Sequence, residues 1–167
     1  REGKFSGKHT GTIGEFGCIS FNGNKIITTG GGGAVLCSSE KDGKRIKHLT
    51  TTAKVPHPYE FIHDEPGFNF RMPNLNAALG CAQLEVLGQY LKNKRHIATM
   101  YKNFFSDSDV SFFIEPGYAK SNYWLNSIIC NSRRQRDEIL KKTNDSNVMT
   151  RPVWRLMHKL PMFKKSL

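Results

Sequence analysis

Long hydrophobic runs are missing from this chain. No apolar stretch approaches the roughly 20 residues that a membrane-spanning helix requires, so the sequence is expected to be globular and to work away from a membrane, in the cytoplasm. Paired cysteines are missing too. Cys18, Cys37, Cys81 and Cys130 stand far apart with no Cys-x-x-Cys spacing, which removes the usual zinc and dithiol signatures. They are expected to be small buried hydrophobes in a reducing compartment. His57, His63, Asp64 and Glu65 share a Pro-rich stretch without a ligand spacing, so no metal is expected. The chain opens Arg-Glu-Gly-Lys, with neither an initiator Met nor a signal-peptide pattern, and is expected to be cut from something longer.

Acidic residues are also scarce: 14 Asp and Glu stand against 25 Lys and Arg, for a formal charge of +11. Such an excess serves nucleic acid, a phosphorylated ligand or solubility. The basic residues come in short groups, among them Lys92, Lys94 and Arg95, then Arg133, Arg134 and Arg136, rather than in one dense stripe. Phe112, Tyr123 and Trp124 lie in strand-like runs, which is the pattern of a core more than of a base-stacking platform. A basic nucleic-acid-binding module is therefore the alternative reading.

Several elements can be read from periodicity. Residues 1–15 are rich in Gly and Lys and read as irregular. Residues 18–21 and 34–37 read as two buried strands around Asn22-Gly23-Asn24 and the glycines Gly30 to Gly33. Ser39 is placed to cap a helix over 40–50, and the prolines between 53 and 70 predict a long loop. A helix over 73–104 follows, with Pro73 in its first turn. Leu75, Leu79, Ala82, Val86, Tyr90, Ile97, Met100, Tyr101 and Phe104 form its apolar face, and its length predicts a break near Gly88 or Asn93. Strands over 110–114 and 123–130, a helix over 133–142 and a short strand at Val148-Met149 suggest a second α/β unit from residue 105.

Charge is scarcest where the glycines are densest: between Glu15 and Glu40, Lys25 is the only charged residue. An amine enclosed by apolar strands loses the solvation that favours its charged form, the state in which enzymes use lysine for Schiff-base chemistry. Ser20, Asn22, Asn24, Thr28 and Thr29 offer groups for a phosphate. Read locally, a lysine at a turn tip with its head in water is the plainer interpretation. A P-loop is excluded, because Gly3-Lys-Phe-Ser-Gly7-Lys8-His9 lacks one spacer and has His where Ser or Thr binds magnesium.

Three segments in order carry a resemblance. Gly14-Glu-Phe-Gly-Cys-Ile-Ser-Phe-Asn-Gly-Asn-Lys-Ile-Ile-Thr-Thr-Gly-Gly-Gly-Gly-Ala34 resembles the cofactor-lysine segment of the DegT/StrS family of sugar aminotransferases. Gly67-Phe-Asn-Phe-Arg-Met-Pro73 is similar to that family's Gly-Tyr-Asn-Tyr-Arg segment, which opens a long helix. Thr150-Arg-Pro-Val-Trp-Arg-Leu-Met-His158 is the third. The resemblance implies an α/β fold, part of the type I (aspartate aminotransferase-like) transferase fold dependent on pyridoxal 5′-phosphate (PLP). Residues 1–104 would then belong to the large cofactor-binding domain with its connecting helix, and residues 105–167 to an incomplete small domain.

It also implies roles. Lys25 would hold PLP and move the proton, and Ser20 would bind its phosphate. Asn69 would reach the phosphate of a neighbouring subunit in a homodimer with a shared active site. Asn22, Arg71, Arg151, Trp154 and His158 would meet the substrate, a nucleotide-linked keto sugar, with glutamate as amino donor. Gly31 stands where many members have Glu, and Asn22 where many have His. The lysine segment and Ser121-Asn-Tyr-Trp-Leu-Asn126 most resemble the branch acting on UDP-linked 4-keto sugars. The acid that pairs with the PLP ring nitrogen would lie in an absent N-terminal half, so this chain alone is expected to be inactive; a non-catalytic or truncated relative that keeps the fold is the second alternative.

Overall fold

The computed structural model describes residues 7–165; the irregular reading of residues 1–6, and with it part of the P-loop comparison, lies outside them. The chain forms two compact units. One holds the residues up to Met100 together with Ile114–Asn126, and the other holds Tyr101–Phe113 and the residues from Ser127 onward.

In the first unit, β1 (Phe16–Ser20) pairs antiparallel with β2 (Gly33–Cys37), Phe16 opposite Cys37 and Ser20 opposite Gly33. These strands were expected to be buried. They instead form a two-stranded ribbon exposing Phe16 and Val35, with Gly17 the buried position of β1. Gly17 is close-packed because a Cβ there would run into the Gly11 carbonyl. Cys18 and Cys81 are exposed and Cys37 and Cys130 are half-buried, so none of the four is a fully buried core residue.

Ser39 caps α1 (Glu40–Thr50) by accepting a hydrogen bond from the Asp42 N–H at 3.1 Å. Glu40 and Asp42 in the first turn and Lys47 and His48 in the last match the helix dipole. The expected loop over 53–70 contains a short ribbon, β3 (Lys54–Val55) with β4 (Ile62–His63). Two side-chain pairs clamp it to α1: Arg45 Nη2 donates to Glu65 Oε2 at 2.7 Å, and His48 Nε2 lies 2.7 Å from Asp64 Oδ1. Loop and helix thus hold each other through charge, and Ala53 is buried where the chain turns between them.

The long helix α2 runs unbroken from Asn74 to Phe104. No break occurs at Gly88, where an added Cβ would meet nothing within 4 Å: a glycine facing open space neither crowds the helix nor inserts a group into its ladder. The apolar face read from the sequence is largely uncovered, with Leu75 87% and Phe104 77% exposed. The face one residue over does the packing described below. Residues 114–126 return to α2 through Arg95, which donates to both Glu115 carboxylate oxygens at 2.9 and 2.6 Å and to the Ser121 carbonyl at 2.6 Å. The Ser121 N–H completes the cluster on Glu115 Oε2 at 2.5 Å. Arg95's hydrogen bond, then the Ser121 N–H, hold the Glu115 carboxyl at about 2, below its ordinary 4.5.

In the second unit the expected strands over 110–114 and 123–130 shrink to β5 (Ser111–Phe112) and β6 (Ile128–Ile129), because the residues between them turn toward Arg95. Val110 and Phe112 are buried, and the Tyr101 ring stacks on Phe105 and Phe112 at 6.3 and 6.1 Å. Ser132 caps α3 (Arg133–Asp145) through the Gln135 N–H. Arg133, Arg134 and Lys141 pair with Asp137, Glu138 and Asp145 one turn along, so these cations are matched within the helix. No strand forms at Val148-Met149. Asn147 turns left-handed (φ 59°) and the Val148 N–H caps the Thr143 carbonyl at 2.8 Å, so the segment ends α3. No helix among the described residues is long and apolar enough to cross a membrane.

Replacing Ser39 by Ala removes the α1 cap and is expected to cost about 1 kcal/mol in a urea denaturation. The folded Glu115 carboxyl lies below its unfolded value, so its ion pair stabilises the fold above about 4.5 and is lost as pH falls toward about 2. Thermal melting across that window should show a smaller acid-induced loss in Glu115→Gln than in the wild type.

Candidate functional site

The segment leaving β1 ends in a run of glycines and is pinned at both ends. Asn22 donates its backbone N–H to Ser20 Oγ at 3.3 Å, and the Lys25 N–H donates to the Asn22 carbonyl at 3.0 Å, closing a turn. Thr29 N–H returns to the Phe21 carbonyl, and Phe21 N–H reaches Gly32. Gly30 (φ 80°) and Gly32 (φ 101°) adopt left-handed backbone that a side chain would resist. Gly33 then enters β2, where a Cβ would sit 2.5 Å from the Ile19 carbonyl.

This loop is fixed to α2 by one helix face. Asn76 Nδ2 donates to the Thr29 carbonyl, Gly80 lets Thr29 Cγ2 approach so closely that a Cβ would lie 2.9 Å from it, and Gln83 Oε1 accepts from the Thr28 N–H at 3.3 Å. Asn76, Gly80 and Gln83 fall at i, i+4 and i+7, a single stripe on a helix. Thr29 is buried there.

Lys25 emerges from this support half-buried. It lies at a turn in front of the ribbon, not between two buried strands as its apolar neighbourhood suggested. Its Nζ sits 4.0 Å from the centroid of the Trp124 ring, whose Nε1–H donates to the Asn24 carbonyl at 2.5 Å. Ser20 and Asn22 are exposed on the same turn, and Asn22 Nδ2 donates to Asn24 Oδ1 at 3.2 Å.

Asn69 and Arg71 belong to the same unit, in the segment leading into α2. Asn69 bridges Thr51, and Arg71 binds both residues, donating to Asn69 Oδ1 at 3.2 Å and to the Thr51 carbonyl at 2.8 Å. The carboxamide oxygen of Asn69 is thereby occupied and its NH2 group left to donate. Arg151, Trp154 and His158 lie exposed in the second unit, Arg151 and Trp154 on an irregular stretch and His158 in a short 3-10 turn.

The structure gathers His48, Asp64 and Glu65 within 4.8 Å of one another, not the His57, His63, Asp64 and Glu65 set of the sequence. His57 instead accepts from the Glu60 N–H, and His63 Nδ1 lies 2.6 Å from the Thr52 carbonyl. Arg45 forks onto Glu65 and, first among the causes, lowers its carboxyl below the ordinary value. That cluster serves the clamp on α1.

Sequence reasoning missed Trp124 as a neighbour of Lys25, along with the Asn76–Gly80–Gln83 stripe. The stripe had a signal in its spacing beside an apolar face. Trp124, almost a hundred residues from Lys25, had none.

Comparisons with known proteins point to one family. The DegT/DnrJ/EryC1/StrS aminotransferase family model matches residues 3–167. EpsN of Bacillus subtilis (strain 168), whose name describes a pyridoxal phosphate-dependent aminotransferase, is 37% identical over 98% of this chain and 42% of its own length. GDP-perosamine synthase of Escherichia coli O157:H7 is 36% identical over 97% of this chain and 44% of its own. The crystal structure of the aminotransferase TlmJ from Streptoalloteichus hindustanus superposes with a TM-score of 0.86 at 23% identity, over 94% of this chain and 43% of TlmJ. The chain therefore spans less than half the length of these relatives, and its α/β architecture is the partial transferase fold expected from the resemblance. With the family model matched over nearly the whole chain and relatives above one third identical, the chain belongs to the DegT/DnrJ/EryC1/StrS aminotransferase family.

Proposed function

We propose that the protein carrying this chain is a cytoplasmic PLP-dependent aminotransferase. It moves an amino group from glutamate to the C4 ketone of a nucleotide-linked keto-deoxy sugar used in surface polysaccharide or glycan synthesis. The observation that carries this reading is Lys25: the one cation of its segment, half-buried on a glycine-rich turn pinned to α2. The local form of the lysine segment favours a UDP-linked substrate, while one relative is a GDP-perosamine synthase. The proposal is accordingly for the class of nucleotide-linked 4-keto sugars.

The residues present suit PLP. An added Cβ at Gly23 or Gly31 would meet nothing within 4 Å, so there is open space on either side of the lysine in sequence, and Ser20 offers a hydroxyl on the same turn. PLP, when bound, supplies an electron sink through which an amino group leaves one carbon skeleton and enters another. Lys25 would hold the cofactor through its amine; once the substrate amine has displaced it, the freed Nζ would take and return the proton at the substrate carbon. The Ser20 hydroxyl and the Asn69 NH2 group donate to phosphate oxygens, the latter across the interface of a homodimer. Arg71 and Arg151 match the charge of the nucleotide diphosphate, while Asn22, Trp154 and His158 meet the sugar nucleotide.

In the complete enzyme, residues 1–104 would form the end of the large domain and residues 105–167 part of the small one. The uncovered apolar face of α2 supports a chain built to pack against more protein than is present here. The matched ion pairs of α3 give no support to the nucleic-acid alternative.

Adding PLP to the complete protein, reducing with borohydride and mapping the peptides by mass should place the modification on Lys25, and Lys25→Arg should abolish it. Labelling that is absent, or spread over many lysines, overturns the reading. Asn69→Ala should weaken PLP binding about tenfold or more, the usual loss for a hydrogen bond to a charged group. The isolated 167 residues should show no transaminase turnover, and a measurable rate would overturn the proposal that they are a part of the enzyme.

A further inference from the structure

The ring that covers Lys25 belongs to residue 124, and its placement is over-determined. The strap from Glu115 to Trp124 leaves α2 and comes back to it. The Arg95 fork on Glu115 closes the base of the strap, and the same guanidinium binds the Ser121 carbonyl. Inside, Glu115 accepts the Ser121 N–H, and its own N–H donates to the Tyr123 phenol oxygen at 3.0 Å. Lys94 Nζ reaches the Trp124 carbonyl at 3.4 Å. Tyr123, held by these bonds, has a φ of 45°, a left-handed conformation uncommon for a bulky residue. Strain of this kind persists only where surrounding contacts impose it, and it collects at functional sites.

The strained residue delivers the next one. Trp124 is half-buried, with its indole N–H tied to the carbonyl of Asn24, the residue immediately before Lys25. That hydrogen bond fixes the ring edge to the lysine turn, and the ring face then falls under the lysine head, 4.0 Å from Nζ to centroid. An ammonium on an indole face is held by the ring's negative quadrupole. A solvated lysine samples many rotamers; one whose head rests on a fixed ring, beside a main chain tied to that ring, does not.

We infer that Trp124 is a positioning residue for Lys25: its indole face is the seat that holds the amine in one place before a ligand takes it, and the Arg95–Glu115 strap fixes that seat to α2. The inference rests on the reading of Lys25 as the cofactor lysine for its purpose, but the seat itself is a property of the cofactor-free protein. Trp124 stabilises one orientation of Nζ and shields it from other reagents. Two parts of the chain far apart in sequence thereby build one side of the lysine site.

The test uses the complete protein without cofactor. Timed reductive methylation with formaldehyde and cyanoborohydride, read by peptide mass, gives the rate at Lys25 relative to exposed Lys92 on α2. Trp124→Ala should raise that relative rate about five-fold, as expected for losing a cation–ring contact and its steric cover. Trp124→Phe keeps a ring face but loses the tie to Asn24, so its rate should fall between those of the wild type and Trp124→Ala. Equal rates in wild type and Trp124→Ala overturn the seat. Borohydride mapping with PLP separates this from the functional reading. Lys25 modified by PLP but indifferent to Trp124 removes the seat and leaves the aminotransferase standing. Lys25 shielded by Trp124 but never modified by PLP does the reverse.

Discussion

The hydrogen bond from the Asn76 carboxamide to the Thr29 carbonyl ties a glycine-rich loop to the long helix α2. Four consecutive glycines would otherwise leave the turn that carries Lys25 with large conformational freedom. Gly80 and Gln83 extend the tie along one stripe of α2, one admitting Thr29 at close range and the other accepting from Thr28. The glycines supply the backbone shapes, and the helix selects among them. The lysine is thus held from below by a helix whose own length owes nothing to the site.

The same helix supports the site from a second direction. Three turns further on, Lys94 and Arg95 anchor the strap that brings Trp124 over Lys25. A bidentate guanidinium–carboxylate pair suits this task because it fixes angle as well as distance. The clamp between α1 and the following ribbon works on the same principle, with Arg45 on Glu65 and His48 beside Asp64. Charge pairs therefore set the loops of this chain, and apolar burial sets rather little: the buried apolar side chains among the described residues are Ala53, Ala98, Val110 and Phe112.

The uncovered apolar residues explain where pattern reading went astray. Leu75, Leu79, Tyr90 and Met100 form the apolar face that helical spacing predicts, and they are exposed. Periodicity reports that a face is apolar, not what covers it. Cys18 and Cys81 follow the same rule on β1 and α2. The strand expected over 123–130 contracts for a different reason. Tyr123 is drawn into a left-handed turn by Glu115 and Ser121, and a strand cannot pass through that conformation.

Local chemistry determined a good deal without tertiary help. The Ser39 cap, the span of α2, the two strands flanking the lysine and the isolation of Lys25 as a lone charge all depend on neighbours in sequence, and all could be read from it. The lysine segment and the helix-opening segment were likewise sufficient to indicate the family. What only the tertiary structure decided are the contacts between distant residues: the stripe of α2 under Thr29, the Arg71 hold on Asn69 and the Trp124 ring over Lys25. Spacing can mark a stripe on a helix but carries no record of what that stripe will meet. Such pairings arise when a helix, a strap and a turn are brought together in space, and the geometry of that meeting is encoded in no single segment.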